Sequence, residues 1–353
     1  MQLQDLTEKG FIHEILGKYA ATAKVKDFDD CIVIDLSKLT SDPQAPYLVY
    51  SIDHPSFLSR NITRDENYQF YGRWAAACTC SDVLAMGAIP RGFSMDLSAP
   101  LETSVNDIEN IVTGINQALS YYGMIFEGGN LDINHLETVC MAWGTVEKDR
   151  IIRRSGAQPG DLIVATGHLG LGWSGYIAQK LDIYHRLKKE TQKSIDAYRL
   201  FPFAPFNPMF EAFKTGAITS GMDLTDGIVE FMYTIAERNG LGVEIDLNHL
   251  PTHPQFKEIG TLLDLDGRLF CLEPGYDTPL THGWTIRHDQ WDLIKDIFTK
   301  HGASIHVYGV VTKERGVRLR KDNQLIDVPE FWDDQFKKQN IIDRWLEFIH
   351  HFA

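Results

Sequence analysis

The sequence predicts an α/β protein built from two domains, and three of its features indicate this. Its 353 residues are enough for two domains that each bury a hydrophobic core. Short apolar runs typical of strands alternate with longer runs of helical period, which is the pattern of an α/β architecture. A break at residues 147–150 precedes the turn-rich stretch RSGAQPGD, after which the alternation starts again. We therefore predict domains at residues 1–148 and 149–322, followed by a tail at 323–353.

The first half contains the elements of one sheet and its helices. We predict strands at Cys31–Leu36, Tyr47–Asp53, Gly92–Leu97 and Thr138–Val146, and helices at Thr7–Tyr19, Asn67–Met86 and Ser104–Tyr122. The helix at Asn67–Met86 is rich in alanine, which favours close packing on a sheet. Gly87 and Pro90 supply its stop signal.

The second half repeats the alternation with more helices. We predict strands at Leu162–Thr166, Val243–Leu247, Arg268–Leu272 and Ile305–Val311, and helices from Trp173 onward and at Ile183–Arg199, Asn207–Lys214 and Thr225–Arg238. In the tail, residues 339–352 place Ile341, Trp345, Phe348 and Phe352 on one helical face. That face predicts a helix docked on the core.

Composition and charge exclude several classes of partner. A formal net charge of −14 without a basic block argues against nucleic acid and against anionic membranes. Five cysteines, an odd number without zinc-site spacing, predict free buried thiols in a reducing compartment. The first residues lack the apolar core of a signal peptide, and no run is apolar enough to cross a bilayer. We therefore expect a cytoplasmic protein.

A series of aspartates at strand ends and turns carries the chemical signal of the sequence. They are Asp29, Asp30, Asp53, Asp82, Asp223 and Asp226. Several carboxylates share one site only when cations neutralise them, and Mg²⁺ prefers such oxygen ligands and bridges them to substrate phosphates. The series therefore predicts a magnesium site, which would let an acidic protein bind an anionic nucleotide. A turn or helix-capping role is the alternative for any one of them, such as Asp226.

Four stretches follow one another along the chain: CSDVLAMGAIP, RSGAQPGDLIVATGHLGLGWSG, MDLTDGI and IHVYGVVTKERGVRL. In this order they resemble motifs of the aminoimidazole ribonucleotide synthetase (PurM-like) superfamily. The resemblance covers nearly the whole chain, from about Leu6 to about Leu319. It implies a two-domain PurM-like fold with an N-terminal mixed sheet and a C-terminal α/β domain.

Within this superfamily the chain looks most like the thiamine-monophosphate kinases. It shares with them an opening helix, a double aspartate before a strand, and an aspartate, Asp53, followed by the aromatic Phe57. The glycine-cysteine element of selenophosphate synthetases is missing near its start. A terminal cysteine, typical of the hydrogenase-maturation members, is missing from the sequence as well.

The resemblance also implies roles for individual residues. The implied metal ligands are Asp29, Asp30, Asp53, Asp82 and Asp226. The implied nucleotide-binding residues are Gly128, Gly129, Arg154 and Thr225, with Arg154 as a fixed fork for phosphate. Arg154 and Asp226 are the implied catalytic residues, and Asp53, Phe57, Tyr276 and Asp277 are expected near the acceptor substrate.

Three positions depart from the kinase pattern. Phe28 stands where a glycine precedes the double aspartate, and Asn130 stands where the kinases have the aspartate of a G-G-D turn. GYDTPL, at residues 275–280, keeps only the glycine, aspartate and leucine of the kinase element G-E-D-Y-E-L. The last two departures lie where the acceptor pocket is expected.

The implied activity is in-line transfer of the γ-phosphate of ATP, with Mg²⁺, to a small phosphorylated acceptor in thiamine biosynthesis. The resemblance further implies a homodimer formed through the N-terminal sheet. Two alternatives stay open. One is a synthetase that phosphorylates an amide or carbonyl oxygen, and the other is an inactive nucleotide-binding paralogue, which Asn130 and Phe28 would favour.

Overall fold

A computed structural model describes residues 29–55, 64–198, 203–275, 281–322, 324–331 and 340–352. The chain divides into two compact units. The first comprises Asp30–Ile152 and Pro202–Lys214, and the second comprises Arg153–Phe201, Thr215–Ala353 and the segment that ends at Asp29. The predicted helix at Thr7–Tyr19 and the residues Phe28, Phe57, Tyr276 and Asp277 lie outside the described residues.

The first unit is a five-stranded mixed sheet of order β1-β2-β5-β3-β4. Its strands are β1 (Ile32–Asp35), β2 (Tyr47–Asp53), β3 (Ile89–Ala99), β4 (Ile125–Ile133) and β5 (Glu137–Val146). Its helices are α1 (Arg64–Ala85), α2 (Val105–Tyr122) and α5 (Phe206–Phe213). α1 packs against α2 and against strands β2, β3 and β5. A Cβ atom at Gly72 would lie 2.0 Å from the Ile111 carbonyl oxygen, so α1 and α2 meet backbone to backbone.

The second unit is a seven-stranded mixed sheet of order β12-β11-β8-β10-β6-β9-β7. Its strands are β6 (Leu162–Thr166), β7 (Ile218–Asp223), β8 (Gly242–Asp246), β9 (His282–Ile286), β10 (Ile305–Thr312), β11 (Gly316–Lys321) and β12 (Gln324–Asp327). Its helices are α3 (Leu171–Lys180), α4 (Lys189–Tyr198), α6 (Gly227–Asn239), α7 (Pro254–Leu263), α8 (Trp291–Lys300) and α9 (Ile341–His350).

The predicted docking helix of the tail is confirmed as α9. Its Trp345 is fully buried, stacks on Phe270 with ring centroids 5.3 Å apart, and donates a hydrogen bond to the Leu272 carbonyl oxygen at 2.9 Å. The tail is therefore part of the core of the second unit.

The predicted strand at Arg268–Leu272 is wrong, because the chain forms a 3₁₀ helix at Gly267–Cys271. Asp266 caps that helix by accepting a hydrogen bond from the Arg268 amide at 3.0 Å. A Cβ atom at Gly267 would lie 2.3 Å from the Phe256 carbonyl oxygen, so the turn is pressed against α7. Tertiary packing and capping thus outweigh the apolar run that favoured a strand.

The predicted helix at Ile183–Arg199 is a 3₁₀ turn at Tyr184–Arg186 followed by α4. Five strands and two helices were not among the predicted elements: β4, β7, β9, β11 and β12, and α7 and α8. The fold class itself, a two-domain α/β protein, is confirmed. All five cysteines are buried thiols outside any disulfide, as predicted. In the described part of the chain, no helix has the length and hydropathy that a membrane span requires.

Candidate active site

Two predicted metal ligands of the first unit lie side by side. Asp30 precedes β1 and Asp82 belongs to the last turn of α1, and each has a carboxylate oxygen within 4.8 Å of the other. The hydroxyl of the buried residue Ser51, on β2, donates a hydrogen bond to Asp82. Two carboxylates at this separation repel each other unless a proton or a cation neutralises them. The donor set therefore fits a hard divalent cation.

Asp53 ends the strand that carries Ser51. Burial raises the pKa of its carboxyl group, and the hydrogen bond from the His54 amide, 2.7 Å long, opposes that rise. A buried carboxylate that is harder to ionise is stabilised by a nearby cation. Metal ligation by Asp53 stays a prediction.

The predicted phosphate turn lies at a bulge in β4. The pairing with β3 shifts register between Phe93 and Ser94, and Gly128 has a φ of 130°, in the region that favours glycine. A Cβ atom at Gly129 would lie 2.1 Å from the Met95 carbonyl oxygen. Both glycines are therefore required by the backbone path as well as being candidates for phosphate contact.

Asn130, one of the departures from the kinase pattern, faces a carboxylate that was not predicted from the sequence. Its side-chain amide donates a hydrogen bond to Asp96 at 3.1 Å. The two residues are paired across β3 and β4 and line a shallow cavity of about 330 Å³ together with Ile52 and Met141. The position of Asp96 on the same strand face as Ser94 and Ser98 was the signal that could have identified it.

In the second unit, Asp29 is engaged by two successive arginines. Its carboxylate accepts a hydrogen bond from the Arg153 guanidinium at 2.5 Å and from the Arg154 amide at 3.1 Å. The Arg154 carbonyl oxygen in turn accepts a hydrogen bond from Asn239 at 3.3 Å. Both backbone polar groups of Arg154, its N–H and its C=O, are therefore hydrogen-bonded, which fixes the backbone at this residue. Metal ligation by Asp29 stays a prediction.

The MDLTDG stretch forms the turn between β7 and α6. Asp223 is buried at the end of β7 and accepts a hydrogen bond from the Thr225 hydroxyl at 3.2 Å. Asp226 occupies the N-cap position of α6, but its carboxylate makes no capping hydrogen bond, and the residue is exposed. The helix-capping alternative for Asp226 is therefore confirmed for its position at the start of α6, but not for a side-chain capping hydrogen bond.

The start of the predicted acceptor element packs directly on this turn. A Cβ atom at Gly275 would lie 1.7 Å from the Thr225 carbonyl oxygen, and one at Gly227 would lie 2.2 Å from the Glu273 carbonyl oxygen. Glu273 is fully buried and accepts a hydrogen bond from the Gly275 amide at 2.6 Å. Glu273 was not among the site residues predicted from the sequence. Its contacts hold residues 273–275 beside Asp226.

Comparison with known proteins identifies the family of the chain. The family model for AIR synthase related protein, N-terminal domain, matches residues 28–146, and that for the C-terminal domain matches residues 158–322. The thiamine-monophosphate kinase of Pyrococcus horikoshii is 26% identical over 289 residues, which are 80% of this chain and 82% of the relative.

Solved structures show the same fold. The thiamine monophosphate kinase of Aquifex aeolicus superposes with a TM-score of 0.73 at 20% identity, over 93% of this chain and 100% of that one. The structure of AaThiL complexed with AMPPCP and TMP gives a TM-score of 0.75 at 20% identity, over 94% and 98% of the two chains. Both domain models match in the order expected from the motifs, and together they span most of the sequence. The chain therefore belongs to the AIR synthase-related family, as its motifs predicted.

Proposed function

We propose that the protein is an ATP-dependent kinase that transfers the γ-phosphate of ATP to thiamine monophosphate. The observation that carries this proposal is the agreement between two independent comparisons. The curated relatives are named thiamine-monophosphate kinases, and a solved structure of the same fold holds AMPPCP and TMP together. That structure covers 94% of this chain.

The chain offers a carboxylate set for the Mg²⁺ that such a transfer requires. Asp30 and Asp82 would hold the ion, because their oxygens lie close together and one of them is already oriented by Ser51. The match to the family motifs implies a ligand role for Asp29, Asp53 and Asp226 as well. When bound, Mg²⁺ would neutralise phosphate oxygens and bridge them to the protein.

The remaining residues would position the two substrates. Gly128 would let a phosphate group approach the backbone of β4, because a Cβ atom there would meet nothing within 4 Å, whereas Gly129 lets β4 approach Met95 closely. Gly129 has its phosphate role by its match to the family motif, and Arg154 would bind another phosphate as a fixed fork. Thr225 and Asp226 lie beside residues 273–275. Tyr276 and Asp277 have their role at the acceptor by their match to the family motif. The acceptor phosphate has a second pKa of about 6 and is largely dianionic at neutral pH, so its attack requires no protein base.

We also propose that the enzyme is a homodimer formed through the face of the five-stranded sheet opposite α1. Residues on β2 and β5 alternate, with Val49 and Ala142 buried beneath the helices and Ile52 and Val139 on the other face. Ile52 is 61% exposed and Val139 is 39% exposed. An apolar sheet face of this kind is typical of an interface between subunits. A cytoplasmic location stays a prediction.

Coupled ADP release tests the proposed activity. Protein, ATP and Mg²⁺ are incubated with thiamine monophosphate and, in parallel, without an acceptor. We expect release that depends on the acceptor and on Mg²⁺. Equal release in both reactions, with AMPPCP still bound by the protein, would leave the family assignment standing but refute the proposed substrate.

A further inference from the structure

The tail helix α9 forms a hydrogen bond to the segment that leads into residues 273–275. The Nε1 atom of Trp345 donates to the carbonyl oxygen of Leu272 at 2.9 Å, and both residues are fully buried. A buried carbonyl group needs a hydrogen-bond donor, and here the indole ring supplies one. This carbonyl and the Glu273 amide belong to the same planar peptide unit. Trp345 therefore fixes the backbone at the point where residues 273–275 begin.

Residues 273–275 interlock with the turn between β7 and α6. A side chain at Gly275 would overlap the Thr225 carbonyl group, and one at Gly227 would overlap the Glu273 carbonyl group. The two segments therefore touch backbone to backbone at two points, and each contributes one of the two glycines. Close-packed segments of this kind have no free space between them. A displacement of residues 273–275 must therefore displace the turn as well.

The 3₁₀ helix that precedes this segment, Gly267–Cys271, has other contacts that hold it. It is pressed against α7, and a side chain at Gly170 would overlap the Phe270 carbonyl group. The ring of Trp345 stacks on the ring of Phe270 with centroids 5.3 Å apart. Removing only the indole N–H should therefore leave the 3₁₀ helix in place and release the residues that follow it.

The helix α9 lies beyond the part of the chain that the family motifs describe. The match to the C-terminal domain model ends at residue 322, and the motifs imply no role for Trp345 in the reaction. Both ends of α9 have hydrogen bonds of their own. Asn340 caps its first turn at 2.9 Å, and Lys321 donates to the Phe352 carbonyl oxygen at 2.7 Å. A change at Trp345 that keeps an aromatic ring should therefore leave α9 attached.

We infer that Trp345 is a positioning residue for the kinase reaction. It fixes Leu272 and thereby holds residues 273–275 against the turn that carries Asp226. The inference rests on the proposed function, in which Asp226 belongs to the reacting site. A carboxylate that is displaced by about 1 Å can slow a reaction about a hundredfold, so support from a distant helix affects the rate.

Hydrogen exchange of the full-length protein, without ATP or acceptor, tests the mechanical link. Trp345→Phe keeps a ring on Phe270 and removes the N–H donor, and Phe270→Leu removes the ring on which Trp345 stacks. In each folded variant we expect the amides of residues 224–227 and 272–275 to exchange at least about fivefold faster than in the wild type. Wild-type exchange at residues 224–227 in the folded variants would overturn the inference, whether or not the protein is a kinase.

Phosphate transfer to thiamine monophosphate tests the effect on the reaction. We expect Trp345→Phe to lower kcat about tenfold and to raise the Mg²⁺ concentration needed for half-maximal rate.

Two control variants should change neither exchange at residues 224–227 nor these kinetic values. Lys321→Met removes the hydrogen bond at the far end of α9, and Phe298→Leu removes a fully buried ring from α8 of the same unit. Circular dichroism and melting temperatures show which variants are folded and equally stable. A wild-type kcat and Mg²⁺ dependence in Trp345→Phe, or an equal kinetic loss in an equally destabilised Phe298→Leu, would overturn the inference. A wild type that transfers no phosphate, with faster exchange in Trp345→Phe, would refute the proposed function and leave the link between α9 and the turn standing.

Discussion

The side chain of Asn130 donates a hydrogen bond to the carboxylate of Asp96, and the two residues lie directly opposite each other on adjacent strands. The kinase pattern has an aspartate at position 130, which would set two like charges against each other. We predict that Asn130→Asp lowers the free energy of unfolding in the metal-free protein by about 0.2–1 kcal/mol. Adding Mg²⁺ should reduce that loss of stability, because a cation would neutralise Asp96 and the introduced carboxylate.

Thermal unfolding with EDTA and with Mg²⁺ measures this effect. Asn130→Ala is the control, since it removes the same hydrogen bond without adding charge, and its melting temperature should respond to Mg²⁺ as the wild type does. If Mg²⁺ shifts the melting temperature of Asn130→Asp no more than that of Asn130→Ala, then no cation neutralises Asp96 and the introduced carboxylate.

Ser51 orients one of the proposed magnesium ligands. Its hydroxyl donates to Asp82, so Ser51→Ala should leave that carboxylate less well positioned. We predict that kcat/KM falls about 10–100-fold, with a higher Mg²⁺ concentration needed for half-maximal rate. Ser120→Ala, an exposed change on α2, is the control. An unchanged Mg²⁺ dependence in Ser51→Ala would separate Ser51 from the metal site.

A charge on the sheet face opposite α1 should break the proposed homodimer. Ile52→Glu introduces a charge at a position that is 61% exposed in the subunit, so the subunit should remain folded. An interface at this face would bury that charge, so the dimer should dissociate. Light scattering should report a dimer for the wild type and a monomer for Ile52→Glu. Leu325→Glu on β12, an exposed position of the second unit, should remain a dimer. A wild-type monomer at micromolar concentration would contradict the proposal.

Three histidines of the second unit, His168, His253 and His306, make its stability sensitive to acid, because burial lowers the pKa of each. Burial, together with the ring of His168 4.8 Å away, lowers the pKa of His306 to about 4. Between pH 6.5 and 4 the unfolded chain therefore binds a proton that the folded protein does not, so stability falls as the pH falls.

We predict that His306→Gln removes part of this loss, on the order of 1–2 kcal/mol between pH 7 and pH 5. Urea unfolding at the two pH values measures it. His185→Gln replaces an exposed ring and should lose as much stability between pH 7 and pH 5 as the wild type does. A pH dependence that is identical in His306→Gln and in the wild type would show that His306 is not responsible.

The sequence was most informative where a motif fixes local backbone geometry. Runs such as MDLTDG and CSDVLAMGAIP pointed to Asp226, in the turn before α6, and to Asp82, in the last turn of α1. Their roles as metal ligands stay predictions. Asp96 and Glu273 were missed, since their roles come from pairing across strands and from packing of distant segments. The strand predicted at Arg268–Leu272 failed for the same reason, because the cap at Asp266 and the approach to α7 are tertiary features.

Transfer of radiolabelled phosphate tests the central claim most directly. The protein is incubated with [γ-³²P]ATP, Mg²⁺ and thiamine monophosphate, and the products are separated chromatographically. We predict labelled thiamine diphosphate with the wild type, and a loss of most of that label with a folded Asp82→Asn variant, which removes a charged ligand and no core side chain. Label that never enters thiamine diphosphate, or full transfer by Asp82→Asn at low millimolar Mg²⁺, would contradict the account.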